Sequence, residues 1–474
     1  MATFSNAVAQ AQSKTISRTE NGMKAFATSD SAILDLFGKI GSGRGRDMTR
    51  EFMAALGEDE SLAIRILLWA RDVRGGAGER GTFRSILSKL EDSNPTLAGR
   101  IMHKVPVLGR WDDLFTYRDP INRKAALRMY ADALMDSNGL AAKWAPREKS
   151  TKKAIAVELR NFMQVDPKTY RKMLVENTNV VETQMCAKEW DGINFSHVPS
   201  VASARYQKAF GRNAGEQYAA YIRELQKPDS ERDPKVKINA GAVYPYDVVK
   251  SLRHGSAAVA DAQFKALPNY VGDTKILPMV DVSGSMCVPL AGNTTAIDVA
   301  ISLGLYLSDR TSSDFKNMFL TFSGQSKIQT LKGTLSQKFM QLSRSEWGMN
   351  TNLHSAFNEI LSVAKNGNVS PENMPDYVLI LSDMQFDSCV SNDHTALEMI
   401  KSKYAQAGYT MPNVVFWNLT ARAENTPVKT NDQGVALVSG FSPAIMATVL
   451  GADPSEFSPW NMMMQVIMNE RYDY

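Results

Sequence analysis

The sequence predicts two fold classes in one chain, an all-α solenoid of stacked helices followed by a doubly wound α/β domain. Three observations lead to this. From Arg50 to about Tyr170 apolar residues recur at helical spacing, as in Phe52, Leu56, Leu62, Ile66 and Trp69, the pattern of helices that each bury one face. From Lys275 onward, short runs rich in β-branched and aromatic residues alternate with helical stretches, which is how a parallel sheet covered on both faces reads. Between them, residues 229–274 carry prolines and charges with few periodic apolar positions, so an irregular connector is expected there.

Taken in order, REFMAALGEDESLAIRILLWARDVR, GTFRSILSKLED, LAGRIMHKVPVL, RKAALRMYADALMD and AIAVELRNFM each read as a helix or most of one. Antiparallel helix pairs stacked side by side follow, because the apolar face of one pair is covered only by the next. The helical domain is placed at residues 1–274. In the remainder, 275–474, KILPMVDVSGSM is a strand running into a polar loop, AIDVAISLGLYLSDR is a helix with an apolar face, and NMFLTFSG, DYVLILSDMQ and NVVFWNL are further strands. In such sheets ligands sit beyond the carboxyl ends of the strands, where DVSGS and SDMQFD fall.

Bulk properties narrow the function. A chain of 474 residues with 44% hydrophobic and 22% charged content is ordinary for a folded protein and too long for one core. The first twenty residues lack the apolar centre of a secretory signal, and no window approaches the length of a membrane span. Cys186, Cys287 and Cys389 show neither disulfide nor zinc spacing, so a cytoplasmic location is expected. Residues 1–275 hold 42 Lys/Arg against 32 Asp/Glu, and the rest hold 12 against 18. A basic helical part and an acidic α/β part point to a polyanionic partner for the first.

Asp281-Val-Ser283-Gly-Ser285 follows a buried strand, so its alternate polar side chains project to one side of a loop. One carboxylate and two hydroxyls suit a hard cation that keeps several waters, as Mg²⁺ does. With Thr351 before a helix in GMNTNLHSAF and Asp383 after a strand in YVLILSDMQFD, this set resembles the metal-ion-dependent adhesion site (MIDAS) of von Willebrand factor A domains. The resemblance implies Mg²⁺, or Mn²⁺ or Ca²⁺, held by Asp281, Ser283, Ser285, Thr351 and Asp383. A helix cap would use Asp and Ser equally well, but a cap does not call for the distant Thr and Asp. Asp298 and Asp387 read as caps or surface charges.

Several phrases, among them LLWARDVRGGAGERGTFRSIL, KVPVLGRWDDLFTY, AAKWAPREK and YRKMLVENTNVVETQMCAKEWDGINFSHVPSVASARY, and later VVFWNLTAR and GVALVSGFSP, resemble in their order the TROVE module of the Ro ribonucleoprotein autoantigen family. That resemblance implies HEAT-like helical repeats, closed into a ring by the A domain, that bind structured small RNA on a basic face and single-stranded RNA ends in the hole. Residues 104–172 hold 15 Lys/Arg against 8 Asp/Glu with aromatic residues interleaved, the types that phosphate neutralisation and base stacking require. Arg71, just before the glycine-rich DVRGGAGER, and Arg74 and Arg80 within it, together with Arg110, Trp111, Trp144 and Arg147, are the RNA-binding candidates. The glycine-rich stretch reads equally well as a tight turn held by internal arginine pairs.

GKIGSGRGRD at 38–47 lacks the G-K-[ST] ending of a phosphate loop. His103, His197, His254, His354 and His394 show no metal or triad spacing, and no Ser stands in G-x-S-x-G. The expectation is a non-catalytic RNA-binding protein. The alternative is a metal-dependent protein adaptor whose partner supplies a carboxylate to the ion.

Overall fold

The structure, a computed structural model, describes residues 16–474 apart from 179, 229, 254, 292–293, 323–325, 346–350, 388–395, 423 and 452. Cys389, His254 and His394 lie outside the described residues. The chain is α+β, with many helices and one mixed six-stranded sheet. No helix among the described residues is long and apolar enough to cross a membrane.

The chain enters through a hairpin, β1 (Ile16–Arg18) and β2 (Lys24–Phe26), paired antiparallel. Its turn runs Thr19-Glu20-Asn21-Gly22, closed by Gly22 N–H donating to Thr19 O at 2.9 Å, with Gly22 at φ +88°. Only glycine adopts that conformation without strain, and it matches the right-handed twist of the strands.

Helices then follow at the expected places, with a correction of detail. The long segment after Arg50 is two helices, Thr49–Glu58 and Glu60–Arg71. Asp59, extended between them, caps the second by accepting from Leu62 N–H at 2.9 Å, as a short acidic side chain does when the first turn leaves its donors unpaired. Asp119 and Asp166 cap the helices Pro120–Met135 and Pro167–Asn177, each with Pro at the first turn, where its missing N–H costs nothing. The same logic corrects the connector. Pro245 opens a helix, Pro245–Ser251, followed by Ala257–Lys265, and the first of these packs on Ala296–Arg310 beside the sheet.

The sheet comprises β3 (Ile276–Val280), β6 (Met318–Thr321), β7 (Ile328–Thr330), β8 (Tyr377–Ser382), β9 (Asn413–Asn418) and β10 (Val435–Ser439), in the order β10-β9-β8-β3-β6-β7. All neighbours are parallel except β6 and β7. Between β3 and β6 a small separate hairpin forms from β4 (Pro289–Ala291) and β5 (Thr294–Thr295). The crossover reverses at β3, which lies between β8 and β6, and in doubly wound sheets that switch point is where the carboxyl ends leave a crevice.

Every residue of β3 and β8 is buried, because both faces are covered. Leu277, Met279, Val378 and Ile380 face one core, while Ile276, Val280, Leu379 and Leu381 face another that runs without a break into Ile33, Phe37 and Trp69 of the N-terminal helices. The junction is close. Gly41 N–H donates to Ser439 Oγ at 3.0 Å, Ser439 Oγ to Phe37 O at 2.7 Å, and Asn418 Nδ2 to Gly38 O at 3.0 Å. A Cβ on Gly41 would lie 2.5 Å from Ser439 O, so glycine is what permits the approach. At the far end of the chain, Arg471 Nη2 donates to the buried Asp72 at 2.9 Å.

Candidate metal centre

β3 and β8 end side by side, and their next residues are Asp281 and Asp383. Asp281 is 0% exposed and Asp383 3%. Asp281 accepts from Ser283 N–H at 2.9 Å through one oxygen and from Ser382 Oγ at 2.6 Å through the other. Ser283 Oγ lies 3.0 Å from Ser285 Oγ, and the Ser285 hydroxyl bonds to Asp383. Four of the five expected donors therefore form one connected cluster, which reaches the surface at Ser285.

Thr351 is tied to the Asp383 loop and not to the Asp281 loop. Its hydroxyl donates to Gln385 O at 2.8 Å, and its N–H to Asp387 Oδ2 at 2.6 Å. Asp387 is thus more than a surface charge, since it positions Thr351. Ser382 and Gln385 were also missed by sequence reasoning, although both flank Asp383 and share its strand end. Asp298 completes a capping box with Thr295 and pairs with Arg253 at 2.6 Å.

The electrostatics of the cluster are one-sided. Burial, and next the charge of Asp383, push the Asp281 carboxyl up to about 6. Asp383 is also raised, by burial first and by Glu20 as well, against hydrogen bonds from Ser285 and Gln385. Two buried carboxylates repelling each other are costly unless a cation lies with them. Among the described residues no three or more His, Cys, Asp or Glu side chains are grouped to hold a metal. The fitting donors are two carboxylates and three hydroxyls, a hard oxygen set with room for water.

The RNA-binding candidates divide. Arg71 is a correction: its side chain is 1% exposed and pairs at 2.6 Å with Asp113, itself 0% exposed, so it holds the fold and meets no ligand. Gly109 lets it pass, since a Cβ there would lie 2.6 Å from Arg71 Nε. The glycine-rich loop is also committed internally, which favours the tight turn of the two readings. Arg74 and Gly75 N–H donate to Asp72 at 3.0 and 3.2 Å, Ala77 N–H to Trp69 O and Glu79 N–H to Ala70 O, while Glu79 pairs with Arg44 at 2.8 Å. Those amides are not available to a phosphate. The side chains of Arg74 and Arg80 remain exposed.

Trp111 is half-buried, edge-on to Tyr130 with centroids 5.6 Å apart. Arg147, half-buried, donates to Ala142 O at 3.2 Å. Arg110 lies 3.3 Å above the Trp144 ring and 2.9 Å from Asp112, whose carboxylate also takes Arg84 at 3.1 Å and Lys152 at 2.9 Å. Arg84 further pairs with Asp113 at 2.6 Å. Four cations, Arg71, Arg84, Arg110 and Lys152, thus converge on two carboxylates. Burial lowers the Arg110 proton affinity most, and Arg80 and Arg84 add to it against the pull of Asp112.

Comparison with known proteins adds the following. The family described as "Domain of unknown function (DUF7788)" matches residues 275–469, and "Domain of unknown function (DUF2828)" matches residues 127–275. The uncharacterized protein L728 of Acanthamoeba polyphaga mimivirus is 31% identical over 512 aligned positions, covering 95% of this chain and 87% of that protein. The crystal structure of the Deinococcus radiodurans Ro (RSR) protein aligns over 93% of this chain and 100% of its own, with TM-score 0.40 and 14% identity.

Proposed function

This chain belongs to the family of the mimivirus protein L728, and we propose that it is a non-catalytic RNA-binding protein whose helical part, a solenoid of HEAT-like repeats, holds RNA with an unpaired end. The observation that carries the reading is the cluster at Arg110: Arg71, Arg84, Arg110 and Lys152 pair with only two carboxylates, Asp112 and Asp113, and Arg110 lies against the indole of Trp144. Guanidinium and indole planes stack on unpaired bases, whereas the major groove of an A-form duplex is too deep and narrow for side chains to read. The surplus charge meets phosphate, and binding weakens with salt as counterions are no longer released to advantage.

The α/β part holds a divalent ion, Mg²⁺ or Mn²⁺ or Ca²⁺, through Asp281, Ser283, Ser285, Thr351 and Asp383. The ion offsets the buried carboxylate pair and so ties the loops after β3 and β8 together. A second reading, that this ion recruits a protein partner through a partner carboxylate, is favoured by the exposure of Ser285 at the mouth of the cluster.

The test of RNA binding uses the full chain, because its core is shared between the two parts. Arg110→Glu with Arg147→Glu is expected to weaken binding of a tailed hairpin much more than of a blunt one, after circular dichroism confirms the fold. Equal binding of both hairpins by the parent protein at physiological salt overturns the reading. For the ion, Asp281→Ala is expected to abolish Mn²⁺ binding in calorimetry, and parent-like affinity in that variant sinks the assignment.

A further inference from the structure

We propose that the N-terminal hairpin is a built-in cap on the metal centre, with Glu20 the chain's own carboxylate at the open side of the ion. The inference rests on the metal reading above and decides how that site is completed.

The turn between β1 and β2 docks on the loops that carry the donors. Thr19 Oγ1 donates to Phe386 O, Glu20 N–H to Gln385 Oε1 at 2.7 Å, and Asn21 Nδ2 to Gln385 O at 2.8 Å. Asn21 Nδ2 also lies 3.4 Å from Thr351 Oγ1, one of the expected ligands, and Gly22 forms a bridge with Asp387, which orients Thr351. The other side of the hairpin is held by Phe26 and Thr426, which exchange two backbone hydrogen bonds of 2.9 Å, and by Asn425 Nδ2 donating to Arg18 O at 2.9 Å. A two-stranded ribbon alone is marginal in water, so these contacts set its position.

The cap is placed by covalent geometry. Glu20 and Asn21 are the two central residues of the Thr19–Gly22 turn, and Gly22 supplies the positive φ that closes it. Glu20 is therefore at the tip, exposed to solvent, with its backbone anchored to Gln385. Gln385, to which the Glu20 N–H is bonded, follows closely on Asp383, and the Glu20 charge also acts on Asp383, so the docked turn sets this acid beside the cluster. Without a cation, a third negative charge here only adds repulsion. With one, it holds the waters of the ion and repels a carboxylate arriving from another molecule. The centre then serves to clasp the beginning of the chain to the sheet and does not recruit a partner.

The experiment compares the full-length parent with Glu20→Gln, using Mn²⁺ as the probe ion and following calorimetry and water-proton relaxation with and without acetate. The variant is expected to bind Mn²⁺ about 10-fold more weakly, the scale for losing an outer carboxylate. Acetate is expected to lower the relaxivity of the variant's bound Mn²⁺ and to leave the parent unchanged. Glu20→Asp, which keeps the charge, is expected to fall between them, and melting in chelator checks that all three are folded. Parent-like Mn²⁺ affinity in Glu20→Gln, or an equal acetate effect in the parent, refutes the cap and leaves the metal reading standing. Absence of Mn²⁺ binding by the parent refutes both.

Discussion

Replacing Asp281 with Asn separates the charge of the metal centre from its shape. Asp281 is 0% exposed, and burial together with Asp383 lifts its carboxyl from 3.8 to about 6. The sign follows from proton binding. Between the unfolded and folded values the folded state binds the extra proton, so this group's contribution is fully present below about 4 and is lost as pH rises through about 6. At pH 7.5 the ionised carboxylate costs the metal-free protein about 3 kcal/mol, from roughly two units at about 1.4 kcal/mol each. Asp281→Asn removes that charge and keeps an acceptor for Ser283 N–H, while the Ser382 hydroxyl must turn to accept from the new amide. In chelator at pH 7.5 the variant is therefore expected to be more stable than the parent, by up to about 3 kcal/mol, and at pH 5 the advantage shrinks. With Mn²⁺ at about 100 times its Kd the parent gains about 2.7 kcal/mol and the variant nothing. Urea denaturation of both proteins at the two pH values, in chelator and in Mn²⁺, reads all of this. A variant no more stable than the parent in chelator at pH 7.5, together with a parent indifferent to Mn²⁺, refutes the picture of two carboxylates awaiting a cation.

Three further outcomes are expected. Arg71→Ala leaves the fully buried Asp113 with Arg84 and the Arg110 N–H and is expected to cost about 3–5 kcal/mol in denaturant titration, the scale for breaking a buried pair, while any folded fraction binds RNA as the parent does. Gly41→Ala puts a Cβ 2.5 Å from Ser439 O, and since a strand carbonyl cannot give way as a side-chain end does, a loss of about 1–3 kcal/mol is expected, checked by thermal melting. Lys152→Gln removes a partly exposed cation from the Arg110 cluster and is expected to lower the slope of log affinity for RNA against log salt by about one, measured by filter binding or anisotropy.

What could be read without coordinates is what nearest neighbours in sequence determine. Helical spacing announced the helix Glu60–Arg71, and unbroken apolar runs announced β3, β6, β8 and β9, because a buried strand must be apolar along its length. The donors Asp281, Ser283 and Ser285 share one loop after a buried strand, while Asp383 was grouped with them by the resemblance to the A-domain metal site. Prolines misled in the connector, since at a first helical turn they start a helix as readily as they end one.

Pairings over long sequence distance were decided only by tertiary structure. Arg71 looked like a free cation beside glycines, yet its partner Asp113 lies 42 residues away, and the loop's amides were claimed by Asp72, Trp69 and Ala70. β10 did not stand out as a strand and proved to be the surface on which Gly38 and Gly41 dock, against Leu437 and Ser439. Glu20 carried no signal at all, for its meaning depends on a contact with Gln385, 365 residues later. Local pattern depends on backbone period and on water avoidance, which act within a few residues. A buried charge or a docked turn depends on which surfaces meet, and only the folded chain determines that.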